Sequence, residues 1–437
     1  MELAGRRVTV MGLGHFGGGV AVTRWLASKG AEVTVTDLAD SQTLSSSLGQ
    51  LAGVPVAKYA LGGHREADFR NIDLLVVNPA VKPGNRFVQV ARGAGARVAT
   101  EMELFLEHCP AAVVGVTGSN GKSTTAAMID AILRANGRTS WLGGNLGGSL
   151  LDHAAAIQPG DCAVLEMSSF QLWHFGPLAR MPHVAVVTSF SPNHLDWHGV
   201  LDDYKAAKQR LLLEQAPDGF AVLNTHDTTV ASWAPAVRGR LAALPALGDL
   251  PELRVPGYHN RINAACAAAA AAALGCSREN IRLALEQFRG LPERRELIAT
   301  VGGVELYDDS AATTPESTVA AIRSSRRPIW LLAGGYDKGL DYAELTAAIA
   351  EGCRGAAFFG AVRAQLRQWT NDRNPELPSM ATERMHEALD WCWRHASRGD
   401  AIVLSPACSS HDQFLNFRHR GEVFRGLVES LVKRYNQ

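Results

Sequence analysis

The chain has 437 residues, 46% of them hydrophobic, with 43 Lys+Arg set against 43 Asp+Glu. Such a length suggests roughly two to four domains, each with its own core. With no basic excess, wholesale binding to nucleic acid or to an anionic membrane surface has no electrostatic support. Seven cysteines stand without a single Cys-x-x-Cys pair, which predicts free thiols in a reducing compartment. The first apolar run enters a glycine turn rather than forming the core of a signal peptide. The longest small-apolar run, Ala264 to Leu274, is too short to span a bilayer. A soluble, cytoplasmic protein is expected.

Three αβ blocks follow one another, over residues 1–98, 99–290 and 291–437. In the first, Arg7 to Met11 reads as a strand, Gly12-Leu13-Gly14-His15-Phe16-Gly17 as a tight turn and Gly18 to Lys29 as a helix. Glu32 to Thr36 is a second strand, ending at Asp37, and Asp73 to Asn78 is another. The alternation predicts a small, doubly wound, Rossmann-like sheet. Gly12-x-Gly14-x-x-Gly17, with Asp37 twenty residues beyond, is the dinucleotide fingerprint. Physically it asks only for an anionic phosphate at the helix start. A nicotinamide-dependent dehydrogenase, a pyrophosphate from another nucleotide and a purely structural turn all satisfy it.

The second block holds the most informative segment. The apolar run Ala111 to Val116 feeds into Thr117-Gly118-Ser119-Asn120-Gly121-Lys122-Ser123-Thr124, and a helix-compatible stretch follows. Strand, glycine loop and helix N-terminus together present backbone N–H groups and a positive dipole end to phosphates. Lys122 adds a charge for the outer phosphates and Ser123 a hydroxyl for Mg²⁺. Val116 stands where the general pattern has its first glycine, so the loop is a shortened variant. A dehydrogenase has no use for this second phosphate loop.

Cys162 to Leu165, His183 to Thr188 and Phe220 to Asn224 read as parallel strands buried on both faces. Glu166 closes the first of them, a position from which carboxylates hold Mg²⁺. His194, within Ser191-Pro192-Asn193-His194-Leu195-Asp196-Trp197-His198-Gly199, falls at the same sheet edge, as a ligand or as a structural histidine. In the helix from Leu201 to about Gln215, Leu201, Tyr204, Lys208, Leu211 and Leu212 share one face. Lys208 then either snorkels to solvent or sits in low dielectric with a lowered pKa. In the second case its neutral amine could add CO₂ and become a carbamate able to bind Mg²⁺. In the third block, Leu291-Pro292 reads as a linker and Gly302-Gly303 as a hairpin turn. Pro328 to Ala333 and Ala401 to Leu404 are further strands.

Together these segments resemble the Mur ligases of peptidoglycan precursor synthesis. The likeness is carried by Thr117 to Thr124, Gly144-Asn145-Leu146-Gly147, Glu166-Met167-Ser168-Ser169-Phe170-Gln171-Leu172, Ser191 to Gly199 and Tyr204-x-Ala206-Ala207-Lys208. It continues in Leu404-Ser-Pro-Ala-Cys-Ser-Ser-His-Asp-Gln-Phe-x-Asn-Phe417 and covers essentially the whole chain. The last motif and Ser168 to Leu172 most resemble the members that add D-glutamate.

The resemblance implies an α/β protein of three domains: a Rossmann-like N-terminal domain for the UDP-sugar, a central P-loop ATPase-type parallel-sheet domain for ATP, and a C-terminal Rossmann-like domain for the amino acid. It implies UDP-sugar contacts at Gly14, His15, Phe16, Asp37 and Asn145. ATP would be held by Gly118, Asn120, Gly121, Lys122, Ser123, Thr124, Asn263, Arg294 and Asp309. Lys122, Glu166, His194 and Lys208 would be the catalytic set. Two Mg²⁺ sites would draw on Ser123, Glu166, His194 and Lys208, the last as a carbamate formed from CO₂. Glutamate would meet Thr313, Lys338, Ser410 and Phe417. The implied substrates are UDP-N-acetylmuramoyl-L-alanine, glutamate and ATP, used by a monomer with no nucleic-acid or membrane partner.

Two departures stand out. The family's Asp-Ser-Lys-Ala-Thr reads Asp309-Ser310-Ala311-Ala312-Thr313, without its lysine. Glu293 replaces the usual histidine before Arg294. In addition, His411 stands where an apolar residue is common. Both of the first two changes remove positive character where anions are handled. Another acidic amino acid, including L-glutamate, is therefore an alternative substrate.

Overall fold

The computed structural model describes residues 2–14, 17–82, 84–176, 180–255, 257–337 and 339–435. Their strands form three sheets. The first has the order β3-β2-β1-β4-β5, from β1 (Arg7–Met11), β2 (Glu32–Thr36), β3 (Lys58–Ala60), β4 (Leu74–Val77) and β5 (Arg97–Ala99). All its pairings are parallel, with Val8 opposite both Val33 and Leu74. Parallel sheets carry helices on both faces, so central strands are apolar on both sides. Leu74 to Val77 are buried without exception.

The second sheet is also wholly parallel, in the order β11-β10-β9-β6-β8-β7. It contains β6 (Ala112–Thr117), β7 (Ser140–Gly144), β8 (Cys162–Glu166), β9 (Val184–Val187), β10 (Phe220–Leu223) and β11 (Arg240–Leu241). One apolar cluster runs from Val8, Val10 and Leu26 through Phe105 to Val113 and Leu165, so the two sheets share a core. They belong to one compact unit, made of residues up to 251 with 262–286. The second unit comprises 252–261 and 287 onward.

The second unit holds the third sheet, β12-β13-β17-β14-β15-β16. Its strands are β12 (Glu296–Val301), β13 (Val304–Asp308), β14 (Ile329–Gly334), β15 (Cys353–Phe359), β16 (Ser379–Ala381) and β17 (Ala401–Leu404). β12 and β13 form an antiparallel hairpin turning at Gly302-Gly303, as the paired glycines predict, and the other pairings are parallel. Side chains alternate along a strand. Ile329, Leu331 and Ala333 therefore enter one apolar cluster, and Trp330 and Leu332 the other.

Local readings hold with small shifts. The helix predicted from Leu201 ends at Leu213, and Leu201 itself is 39% exposed, because the first helical turn stands clear of the core. The alanine-rich run lies in the helix Tyr258–Ala273, buried from Asn263 to Ala271. Among the described residues no helix is long and apolar enough to cross a membrane. All seven cysteines are free thiols.

Candidate active site

β6 ends at Thr117, and the next helix, Lys122–Ala135, starts from Gly121 at φ 84°. Gly118 has φ 150°, and a Cβ there would fall 2.1 Å from Thr188 Oγ1. A Cβ on Gly121 would meet Asn263 Oδ1 at 2.4 Å. These two positions need glycine, and the second places Asn263 directly on the loop. Val116 is a strand residue, opposite Glu166 on one side and Val186 on the other. This explains the shortened loop: the turn begins after the strand is complete.

The loop is fastened by hydrogen bonds to the segment after β9 and to Tyr204. Ser119 N–H donates to Ser189 O at 2.9 Å, and Asn120 N–H to Ser189 Oγ at 2.8 Å. Ser119 Oγ donates to Ser191 O and shares a hydrogen bond with the Tyr204 hydroxyl, both at 2.9 Å. Lys122 Nζ donates to Ser119 O at 2.9 Å, so the ammonium curls over its own loop. Ser123 is buried in the first helical turn, beside Thr124.

Glu166 sits at the carboxyl end of β8, 2% exposed, and its Oε1 accepts from Asn145 Nδ2 at 3.0 Å. Asn145 N–H also donates to Glu166 O at 2.9 Å. The adjacency of β7 and β8 thus brings the Gly144-Asn145 motif to the buried acid. Lys208 does not snorkel. It is 1% exposed, its Nζ donates to Gly118 O at 2.8 Å, and it stands 4.6 Å from the centre of the Tyr204 ring. Burial first, then the nearby Lys122 charge, hold its pKa well below the ordinary lysine value of 10.5, while Glu166 opposes them.

His194 follows β9 with a left-handed backbone, φ 55°, and its ring packs edge-on to Phe170 with centroids 4.7 Å apart. His198, four residues on, is buried, with Nε2 3.0 Å from Ser169 Oγ and Nδ1 without a hydrogen-bond partner among the described residues. Burial, then Lys208, push its pKa down to about 4. Tyr204 touches both Lys208 and the loop, His198 packs on the Tyr204 ring, and Ser169 holds His198; none of the three is among the expected site residues. The four-residue step from Tyr204 to Lys208 was the one available signal.

In the first sheet, Gly14 N–H donates to Asp37 Oδ2 at 3.1 Å, across the carboxyl ends of β1 and β2. Asn78, seen in sequence only as a strand end, donates to Gly12 O at 3.1 Å and braces the same turn. His15 and Phe16 lie outside the described residues, as does Lys338.

In the second unit, Asp309 follows β13. It accepts from Ser405 Oγ at 2.7 Å and from Arg295 N–H at 3.1 Å. Burial raises its pKa from 3.8 to about 6, against the Ser405 hydrogen bond and the charges of Arg294 and Arg295. Glu293 and Arg295, flanking Arg294, both have positive φ. Ala311 N–H donates to Glu293 O at 3.0 Å, so the two departures in this region are hydrogen-bonded neighbours. Ser410 is buried after β17, and Phe417 begins the helix Phe417–Tyr435.

Family models match most of the chain: "Mur ligase MurD-like, N-terminal domain" over residues 6–100, "Mur ligase middle domain" over 116–243 and "Mur ligase, glutamate ligase domain" over 293–408. The UDP-N-acetylmuramoylalanine–D-glutamate ligase of Roseiflexus sp. (strain RS-1) is 37% identical, covering 99% of this chain and 100% of that protein. The protein of the same name from Symbiobacterium thermophilum is 34% identical, over 97% and 98%. Among solved structures, UDP-N-acetylmuramate-alanine ligase from Thermotoga maritima superposes with TM-score 0.62 at 17% identity, over 97% of this chain and 99% of that one. The MurF ligase of the same organism, solved in complex with ADP, gives 0.59 at 17% identity, over 84% and 97%.

Proposed function

Since the chain belongs to the Mur ligase family, we propose that it is an ATP-dependent amide ligase that adds D-glutamate to UDP-N-acetylmuramoyl-L-alanine in peptidoglycan precursor synthesis. The observation that carries the chemistry is the convergence of three groups at adjoining strand ends: the phosphate loop with Lys122, the buried Glu166, and the buried amine of Lys208 against Gly118 O.

The alanyl carboxylate attacks the γ-phosphorus of ATP, forming an acyl phosphate and releasing ADP. The amine of glutamate then attacks the acyl carbon, and phosphate leaves from the tetrahedral adduct with loss of a proton. No protein nucleophile is required. Loop amides, Lys122 and the helix N-terminus stabilise charge on the transferring phosphoryl group. Gly118, Asn120, Gly121, Ser123, Thr124 and Asn263 take ATP in the first unit; Arg294 and Asp309, in the second, match positions that the family uses for the nucleotide. Gly14, Asp37 and Asn145, with His15 and Phe16, take the UDP-sugar. Thr313, Ser410 and Phe417, with Lys338, take the amino acid.

The residues fit Mg²⁺. Glu166 is a buried carboxylate whose side-chain partner is a neutral amide; Ser123 would add a hydroxyl oxygen and His194 a ring nitrogen. Among the described residues no three His, Cys, Asp or Glu side chains form a metal cage by themselves. Mg²⁺ commonly takes one or two protein carboxylates and fills its remaining positions with substrate phosphates and water. Bound there, Mg²⁺ would neutralise phosphate charge. Lys208, carbamylated by CO₂, would add an anionic ligand, since its depressed pKa favours the neutral amine that reacts. We place the enzyme in the cytoplasm, as a monomer.

A second reading keeps the chemistry and changes the amino acid, to L-glutamate or another acid. The Glu293–Ala311 pair favours it, because the family's two cationic positions are lost together. Phosphate release with UDP-N-acetylmuramoyl-L-alanine and each glutamate enantiomer decides. Aspartate and other acidic amino acids are run alongside: release dependent on D-glutamate supports the first reading, release only with L-glutamate or another acid the second, and no release with any of them refutes both.

A further inference from the structure

Arg420 lies in the helix Phe417–Tyr435 and is wholly buried. A buried guanidinium normally meets a carboxylate, yet among the described residues none lies within ion-pairing distance of it. Its hydrogen bonds go to two carbonyls: Nη1 donates to Cys408 O at 3.1 Å and Nη2 to Ser310 O at 2.9 Å. Nε has no partner. Those carbonyls belong to the loops after β17 and β13, strands paired side by side with Leu404 opposite Asp308. Both loops therefore leave the same sheet edge, the carboxyl end where open α/β sheets bind ligands. The β17 loop also contains Ala407, a non-glycine residue at φ 61°, a conformation that persists only where its surroundings enforce it.

We propose that Arg420 is a positioning residue for the incoming amino acid, clamping the loop that carries Thr313 to the loop that carries Ser410. This rests on the reading of the second unit as the amino-acid-binding one. The clamp explains why a charge is kept where its hydrogen bonds go to carbonyls, the Asp412, Asp308 and Asp309 charges acting on it only from beyond ion-pairing distance. A planar fork spans two carbonyls at fixed separation, which neither a lysine nor a neutral side chain does. It also predicts selectivity. Asp309, the proposed nucleotide contact, is anchored independently through Ser405 and Arg295 N–H, so losing the clamp should disturb the amino acid and spare ATP.

The test is Arg420→Met and Arg420→Lys in the full-length enzyme, with KM for amino acid, ATP and UDP-sugar measured separately and a thermal melt for each variant. For Met, the amino-acid KM should rise about tenfold or more while the ATP KM stays within about twofold, and Lys should recover part of the loss. An unchanged amino-acid KM, or a parallel rise for every substrate with a lowered melting temperature, overturns the clamp. If Met does not fold, the KM split in Lys decides by the same criteria. If the wild-type enzyme ligates no amino acid to the UDP-sugar, the functional reading fails rather than the clamp.

Discussion

Lys208→Met separates a lysine kept for chemistry from one kept for packing. The side chain is buried and its Nζ has one recorded hydrogen bond, to Gly118 O at 2.8 Å. Methionine fills similar space, so the loss on the folded side is that hydrogen bond and an unpaired carbonyl, about 1–3 kcal/mol. Against this, the wild type carries the cost of holding an amine out of water. Its folded pKa lies well below 10.5. Between the folded pKa and 10.5 the unfolded chain binds the extra proton, so stability rises with pH in that window, by at most about 1.4 kcal/mol per pH unit. The methionine variant lacks this dependence. In urea denaturation under CO₂-free buffer, the wild-type advantage over the variant should therefore grow between pH 7 and pH 9, by up to about 2.7 kcal/mol. At pH 7 the two should lie within about 2 kcal/mol of each other, while ligation is lost in the variant. A stability gap that is flat with pH would show that Lys208 is charged in the folded protein. Full activity in the variant would end the carbamate proposal. ¹³C NMR with labelled bicarbonate should give a carbamate signal in the wild type and none in the variant.

Gly118→Ala should be destabilised by about 1–3 kcal/mol and lose ATP affinity, because its Cβ would fall 2.1 Å from Thr188 Oγ1; calorimetric ATP binding checks it. Asn145→Ala leaves Glu166 without its amide partner and should weaken UDP-sugar binding and Mg²⁺ activation together, read from KM at several Mg²⁺ concentrations. Asp309 is raised from 3.8 to about 6, so the folded chain holds the extra proton in that window and stability falls as pH rises through it. Asp309→Asn should remove this penalty of about 3 kcal/mol, stabilising the protein at pH 7 relative to pH 4 while raising the ATP KM. Ala311→Lys should lower the KM for D-glutamate; an unchanged or higher KM would show that the pocket gains its positive character elsewhere.

Strands, turns and the phosphate loop were legible because each is written in a few consecutive residues. Apolar runs mark strands buried on both faces, and glycines mark turns. Even the hairpin at Gly302-Gly303 is a local signal. Lys208 shows the limit. Helical periodicity placed it on the apolar face, but a face has no depth, and a long side chain on that face can still reach water. Arg420 was less legible still, since an arginine near a helix start reads as a solvated charge. The Asn145–Glu166 pair was invisible until β7 and β8 lay side by side.

By itself, then, the order of residues determined which segments become strand, loop or helix, and where phosphate-binding chemistry is possible, because these depend on hydrogen bonds and periodicities only a few residues long. Tertiary packing alone decided which polar groups lost their water and what replaced it. Lys208 finds Gly118 across 90 positions and Arg420 finds Ser310 across 110. Desolvation and charge act through space, so groups distant in the chain set each other's protonation and reactivity only after the sheets have formed.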